Sequence, residues 1–131
     1  MQRYFEDMLP AEELEQLKFI PTISEFVTWI EQKWQDLPAL SDTVNTFSYS
    51  QVCSAVAHKR ALLNSLGLEK GDKVAILDNT TIDAVEMFLA VTSAGYVAIN
   101  LPSQLPEPAV IGSCMKFGVK ALAYGEPFAP I

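Results

Sequence analysis

The stretch Val74–Asn100, VAILDNTTIDAVEMFLAVTSAGYVAIN, decides the fold. It opens on VAILD (Val74 to Asp78), an almost wholly apolar run of the kind expected for a strand buried on both faces of a sheet. The period then changes. Thr80 stands three residues ahead of Asp83, the spacing of a helix cap, and Val85, Phe88, Leu89 and Thr92 recur at helical intervals to make one face. Gly95 closes the run, since glycine accepts the left-handed backbone on which helices end. YVAIN (Tyr96 to Asn100) is again a short strand, read as buried. Two strands joined through one helix with short connections must lie parallel, with a right-handed crossover.

Downstream, TSAGYVAINLPSQLP carries the chain out of this unit. Pro102, Pro106 and Pro108 fall within seven residues, and they steer it into a third short helix, PEPAVIGSCMKFG. Pro108 is tolerated there because it lies in the first turn. VKALAY (Val119 to Tyr124) closes the order as a strand. Upstream, SYSQVCSAVAHKRALLNSLGL begins with Ser48 and Gln51 at capping-box spacing. Its apolar face is Val52, Ala55, Val56, Leu62, Leu63 and Leu66, Gly67 sits at its stop, and EKGDK is turn chemistry.

The first third reads as a helix and then a loop. Thr22 and Glu25 have capping-box spacing, and Ile23, Phe26, Val27, Ile30 and Trp34 form one apolar stripe. Trp29 and Trp34 are read as packing residues, with no ligand assigned to them. DLPALSDTVNTFSY suggests two short strands around a tip at Asp42 to Asn45. The expected fold is an open, wound α/β sheet, mainly parallel (βαβαβ), preceded by an N-terminal helix and a short hairpin. We read residues 1–131 as one domain, with 1–45 the lead helix and hairpin and 46–131 the wound part.

Composition narrows the function. Half of the residues are apolar and 19% are charged, in keeping with a soluble globular domain. Sixteen acids against nine bases give a net charge of -7, which argues against a nucleic-acid partner, since that role needs clustered Lys and Arg. The adjacent pair Lys59-Arg60 reads as a solvated helix face. Cys53 and Cys114 are far apart and match no metal-ligand spacing, so both are expected as reduced thiols. The opening MQRYFEDMLPAEELEQ has acids where a signal peptide carries bases, and no apolar run reaches membrane-spanning length. The expected location is the cytoplasm.

No catalytic constellation can be assembled. Neither G-x-G-x-x-G nor G-x-x-x-x-G-K-[ST] occurs, and NTTID after the first wound strand contains no glycine. Thr80 has the plain role of capping its own helix. His58, the only histidine, has no carboxylate three or four residues away to orient it and reads as a surface residue. Glu12-Glu13, the paired carboxylates, lie on a polar segment and read as solvated. The residues therefore nominate no catalytic, no cofactor-binding and no metal-ligating position.

From Thr46 to Glu126, about eighty residues, the chain resembles the opening of the adenylate-forming (AMP-binding) superfamily. That superfamily includes acyl-CoA synthetases, the adenylation domains of peptide synthetases, and luciferases. TFSYSQV is similar to its first core motif. LGLEKGDKVAIL is similar to its Leu-Gly-x-x-x-Gly-Asp-x-Val-Ala signature, matched by Leu66, Gly67, Gly71, Asp72, Val74 and Ala75. Asn79 falls where the family places Asn before a Ser/Thr-capped helix. MFLAVTSAGYVAINLPSQLP resembles the second core motif, and FGVKALAYG the stretch behind it. One turn departs from the pattern: Asn100-Leu101-Pro102-Ser103 stands where the family commonly has Pro-Leu-Asn-Pro or Pro-Leu-Asp-Pro.

The resemblance implies a longer parent protein, an acid–thiol ligase of the acyl-CoA synthetase or fatty-acid–CoA ligase kind. Such a parent would use ATP, Mg and CoA and act on a carboxylic acid, a fatty or aromatic acid being the class that fits. The family's Pro-Lys-Gly phosphate loop, Thr-Glu pair, ribose-binding Asp and C-terminal Lys have no counterpart here, so no catalytic residue carries over. The 131-residue chain by itself is expected to be inactive and to bind no cofactor, with the remainder of its own chain as its partner. YGEPFAPI reads as a chain cut within the fold, leaving an apolar face open to self-association. Two other readings stand beside this one: an adenylation domain of a peptide synthetase, and a complete, non-catalytic α/β interaction module. A third, a flavodoxin-like mononucleotide binder, is weakened by the missing phosphate loop.

Overall fold

The computed structural model describes residues 10–129. The first nine residues of the signal-peptide reading and the last two of YGEPFAPI lie outside them. Helix α1 (Ala11–Leu17) leads into α2 (Ile23–Trp34), whose Thr22 hydroxyl accepts the Glu25 amide at 3.1 Å, as the sequence spacing predicts. The hairpin follows as β1 (Pro38–Ser41) and β2 (Thr46–Ser48), paired antiparallel with Leu40 opposite Phe47. Its tip is closed by Asp42, whose Oδ1 accepts the amides of Val44 at 2.8 Å and Asn45 at 2.7 Å. The Asn45 and Val44 amides hold the Asp42 carboxyl below the usual carboxylate range.

Helix α3 (Tyr49–Asn64) starts from a complete capping box between Ser48 and Gln51. After a turn come β3 (Lys73–Leu77), α4 (Ile82–Ser93), β4 (Val97–Leu101), α5 (Glu107–Phe117) and β5 (Ala121–Tyr124), with a short 3-10 turn at Glu126–Phe128. The three wound strands are parallel and ordered β4-β3-β5, with Ala75 facing Ile99 on one side and Leu122 on the other. The chain is thus the wound α/β sheet its periodicity implies.

Two cores lie on opposite faces of this sheet. Val74 and Ile76 turn to the larger one, with Val27, Ile30, Val52, Val56, Leu63, Ala90 and Val91. Ala75 and Leu77 turn to the smaller, with Leu101 and Val110. Helix α4 covers the first face and α5 the second, because crossovers of one hand running in opposite directions land on opposite faces. Among the described residues no helix is long and apolar enough to cross a membrane.

Four local expectations shift. Thr81, not Thr80, is the N-cap of α4 and accepts the Ala84 amide at 3.0 Å. The α4 face that turns inward is Glu86, Ala90, Val91 and Ser93, whereas Val85 and Phe88 remain 37% and 39% exposed. In α3, Cys53 is buried while Leu62 is 59% exposed, its neighbour Leu63 being the residue of the last turn that enters the core, and Leu66, beyond the end of the helix, is 57% exposed. The strand at Val97–Leu101 begins one residue after Tyr96 and is an edge strand, so Val97 and Asn100 remain exposed.

A candidate functional site at the carboxyl edge of the sheet

All three parallel strands end on the same side, and in wound sheets ligands bind outside the carboxyl ends, where the strand order reverses. That place here is the crevice between β3 and β5, because the chain passes from β3 to β4 on one side and then crosses to β5 on the other. A cavity of about 400 Å³ opens there. Its walls are Asp78 and Asn79 after β3, Gly125 and Glu126 after β5, the first turn of α4, and Lys59 from α3.

The polar groups on these walls are largely bonded to one another. Asp78 Oδ1 accepts the Asn79 amide at 2.8 Å and its Oδ2 accepts the Thr81 hydroxyl at 2.9 Å. The Gly125 amide donates to the Leu77 carbonyl at 3.0 Å, which brings the Gly125 backbone against the Asp78 carboxylate. A Cβ at residue 125 would overlap that carboxylate, so a glycine is required for close approach although its φ of -74° is ordinary.

Lys59 does not form the solvated basic face expected of Lys59-Arg60. Its ammonium lies 3.3 Å from Asp83 Oδ1 and 3.2 Å from Glu86 Oε1, bridging α3 to α4. Glu86 is buried, and this cation is its partner. Sequence reasoning missed the pair. The signal was one carboxylate inside the apolar run AVEMFLAV, which needs a partner that only another element can supply.

The other candidates are placed apart. His58 is exposed on α3 and, among the described residues, makes no hydrogen bond or ion pair. Glu12 and Glu13 do not act together, nor are both solvated: Glu13 accepts the Trp34 indole N–H at 3.3 Å and ties α1 to α2. Trp34 in turn packs edge-on to Trp29 and against Tyr49, the packing role expected of the two indoles. Cys53 and Cys114 are both free. Burial pushes the Cys53 thiol up to about 11, with Glu31 adding to the effect, while its Sγ faces the Val27 carbonyl. The Gly67, Gly71 and Asp72 signature makes the turn into β3: both glycines have positive φ, and Asp72 Oδ2 accepts the Glu69 amide at 2.8 Å.

Lys59, the only cation among the lining residues, is already paired with Asp83 and Glu86, and the carboxylates of Asp78 and Glu126 line the same cavity. An incoming phosphate would meet like charge with no uncommitted cation among the lining residues. Among the described residues no group of three or more His, Cys, Asp or Glu is arranged to hold a metal ion.

Comparison with known proteins gives the family. The model of the AMP-binding enzyme family matches residues 27–127. Tenellin synthetase of Beauveria bassiana is 37% identical over 86 residues, covering 66% of this chain and 2% of that protein. The long-chain-fatty-acid–CoA ligase FadD13 of Mycobacterium tuberculosis is 33% identical over 85 residues, covering 64% of this chain and 17% of the ligase. The chain therefore spans a small fraction of the curated relatives it matches. Among solved structures, the N-terminal domain of FACL13 from M. tuberculosis superposes with a TM-score of 0.78 at 26% identity, over 83% of this chain and 28% of that one. The match to the family model takes in every element from within α2 to the turn after β5, and on that ground the chain belongs to the AMP-binding enzyme family.

Proposed function

We propose that this chain is the opening part of an ATP-dependent acyl-CoA synthetase, and that its own role is to build and hold scaffold for chemistry supplied by residues beyond it. The parent would convert a carboxylate and ATP to an acyl-adenylate and pyrophosphate. The thiol of CoA would then attack the acyl carbon, forming the thioester and releasing AMP. ATP, Mg, CoA and a fatty or aromatic acid belong to that parent, which would work in the cytoplasm with the rest of its chain as the partner of this segment. The observation that carries the reading is the family match over residues 27–127, joined to a carboxyl-edge crevice whose one lining cation, Lys59, is already paired with Asp83 and Glu86. The likeness to a long-chain-fatty-acid–CoA ligase supports the acyl-CoA branch.

A second reading, an adenylation domain within a much longer synthetase, draws on the 37% identity to tenellin synthetase, of which this chain spans 2%. The two differ in the acceptor thiol: free CoA in one, a carrier domain on the same polypeptide in the other.

The test is to extend the reading frame past Ile131 and assay the product. Several hundred further codons with a Pro-Lys-Gly loop, giving a protein that exchanges pyrophosphate into ATP and forms acyl-CoA, support the proposal. A stop codon soon after Ile131 overturns it, as does pyrophosphate exchange by the 131-residue chain alone.

A further inference from the structure

Helix α1 is attached to the protein by polar contacts rather than by a shared core. None of its residues is buried, and its two leucines, Leu14 and Leu17, belong to neither core. Among the described residues no backbone hydrogen bond joins residues 10–20 to the rest of the chain. Two side-chain bonds bridge that gap. The Trp29 indole N–H donates to Gln16 Oε1 at 3.1 Å, and the Trp34 indole N–H donates to Glu13 Oε1 at 3.3 Å. Glu13 and Gln16 stand three positions apart and so share one face of α1. The two indole rings they meet lie 4.9 Å apart.

The joint after α1 isolates it further. Pro21 has no amide with which to continue the helix, and α2 starts afresh where the Thr22 hydroxyl accepts the Glu25 amide. Val27 and Ile30 then fix α2 in the larger core. Neither the start of α2 nor its anchorage uses α1. A groove of about 340 Å³ at the joint is lined by Phe19 and Ile20 together with Ser24, Thr28 and Trp29 of α2, and Phe19 is 79% exposed, so packing at the joint is loose.

We propose that α1 is a releasable strap: hinged at Pro21 and fastened by the indole N–H groups of Trp29 and Trp34, it opens as a unit while the rest of the domain stays folded. A helix of seven residues is not stable by itself in water, so the released segment loses its helix, and the protection of its amides reports docking. Release frees two indole donors on rings that stay packed against the larger core, with Trp34 still against Tyr49. The strap does not depend on the ligase reading.

NMR-detected hydrogen exchange of the purified 131-residue chain tests the proposal. The bonded amides of α1, Leu14 to Lys18, should be protected, yet exchange about a hundredfold faster than those of α2 from Val27 to Lys33. The double variant E13A/Q16A removes both acceptors and puts the best helix former in their place. It should speed the α1 amides about tenfold further, with α2 exchange and the urea midpoint by circular dichroism unchanged. Glu13→Gln takes the same charge from the first turn of α1 but keeps an acceptor for Trp34, and should stay within about twofold of wild type. Exchange of the α1 amides in step with α2, or at the rate of a free peptide, overturns the proposal. So does an E13A/Q16A chain whose α1 amides are unchanged or whose urea midpoint falls, and so does Glu13→Gln exchanging as fast as the double variant.

Discussion

The Lys59–Glu86 bridge yields a prediction that separates a structural clamp from surface ornament. Glu86 keeps only 8% of its side-chain surface and Lys59 22%, whereas Asp83, the second carboxylate on the same ammonium, keeps 81%. Removing one partner of a fully buried pair costs about 3–5 kcal/mol, chiefly because the other charge stays buried without compensation. Lys59 retains some contact with water, so Lys59→Met should cost about 2 kcal/mol, a fall in Tm of roughly 8 °C for a chain of this size. Asp83→Ala removes an exposed contact and should stay within about 0.5 kcal/mol. The double variant K59M/E86L replaces the pair with apolar groups of similar volume and should regain most of the loss, a non-additivity of more than about 1 kcal/mol. Urea unfolding followed by circular dichroism and by the fluorescence of Trp29 and Trp34 gives each midpoint and slope. If Lys59→Met and Asp83→Ala cost the same, or if K59M/E86L is no more stable than Lys59→Met, then Glu86 is not a buried charge that depends on Lys59.

Other substitutions test the remaining assignments. Thr81→Ala should destabilise by about 1 kcal/mol through loss of the α4 cap, whereas Thr80→Ala should remain within about 0.5 kcal/mol; equal effects in chemical denaturation would return the cap to Thr80. Gly125→Ala drives a methyl group into the Asp78 carboxylate and should cost about 1–3 kcal/mol, a cost relieved on adding Asp78→Ala; a thermal melt unchanged from wild type would refute the close approach. With its thiol raised to about 11, Cys53 is about one part in a thousand thiolate at pH 8. Mass spectrometry should therefore find iodoacetamide on Cys114 well before Cys53 in the folded chain, and on both at similar rates in urea. The pH dependence has a definite sign. The raised Cys53 value stabilises the fold below the unfolded thiol value and is lost as pH rises towards 11, while the lowered Asp42 value stabilises it above the unfolded carboxyl value and is lost on acidification. Cys53→Ala and Asp42→Asn should flatten the alkaline and acid limbs of the stability profile, respectively.

How much of this was legible beforehand depends on how far each interaction reaches along the chain. The Thr22 cap of α2 and the Ser48–Gln51 capping box of α3 close within three residues, so Thr22, Ser48 and Gln51 could be read from spacing alone. The positive-φ positions Gly67 and Gly95 were legible because glycine meets a demand set by its own backbone. Strand, helix, strand order implied parallel pairing, and the apolar VAIL of β3 implied its central place.

Which side of each helix turns inward is decided by the sheet it lies on. Residues Val85 and Phe88 looked like the core stripe of α4, but Ala90 and Val91 are the residues that meet β3. Lys59 and Glu86 are 27 positions apart, and Glu13 and Trp34 are 21, so each pair exists only once two helices have docked. Sequence by itself determined the kinds of elements, their order and their parallel sense, because those follow from backbone chemistry within a turn or two. Tertiary structure alone decided the partners of the buried charge and the closeness of Gly125 to Asp78, because each is a relation between segments whose spacing in the chain says nothing of their distance in space.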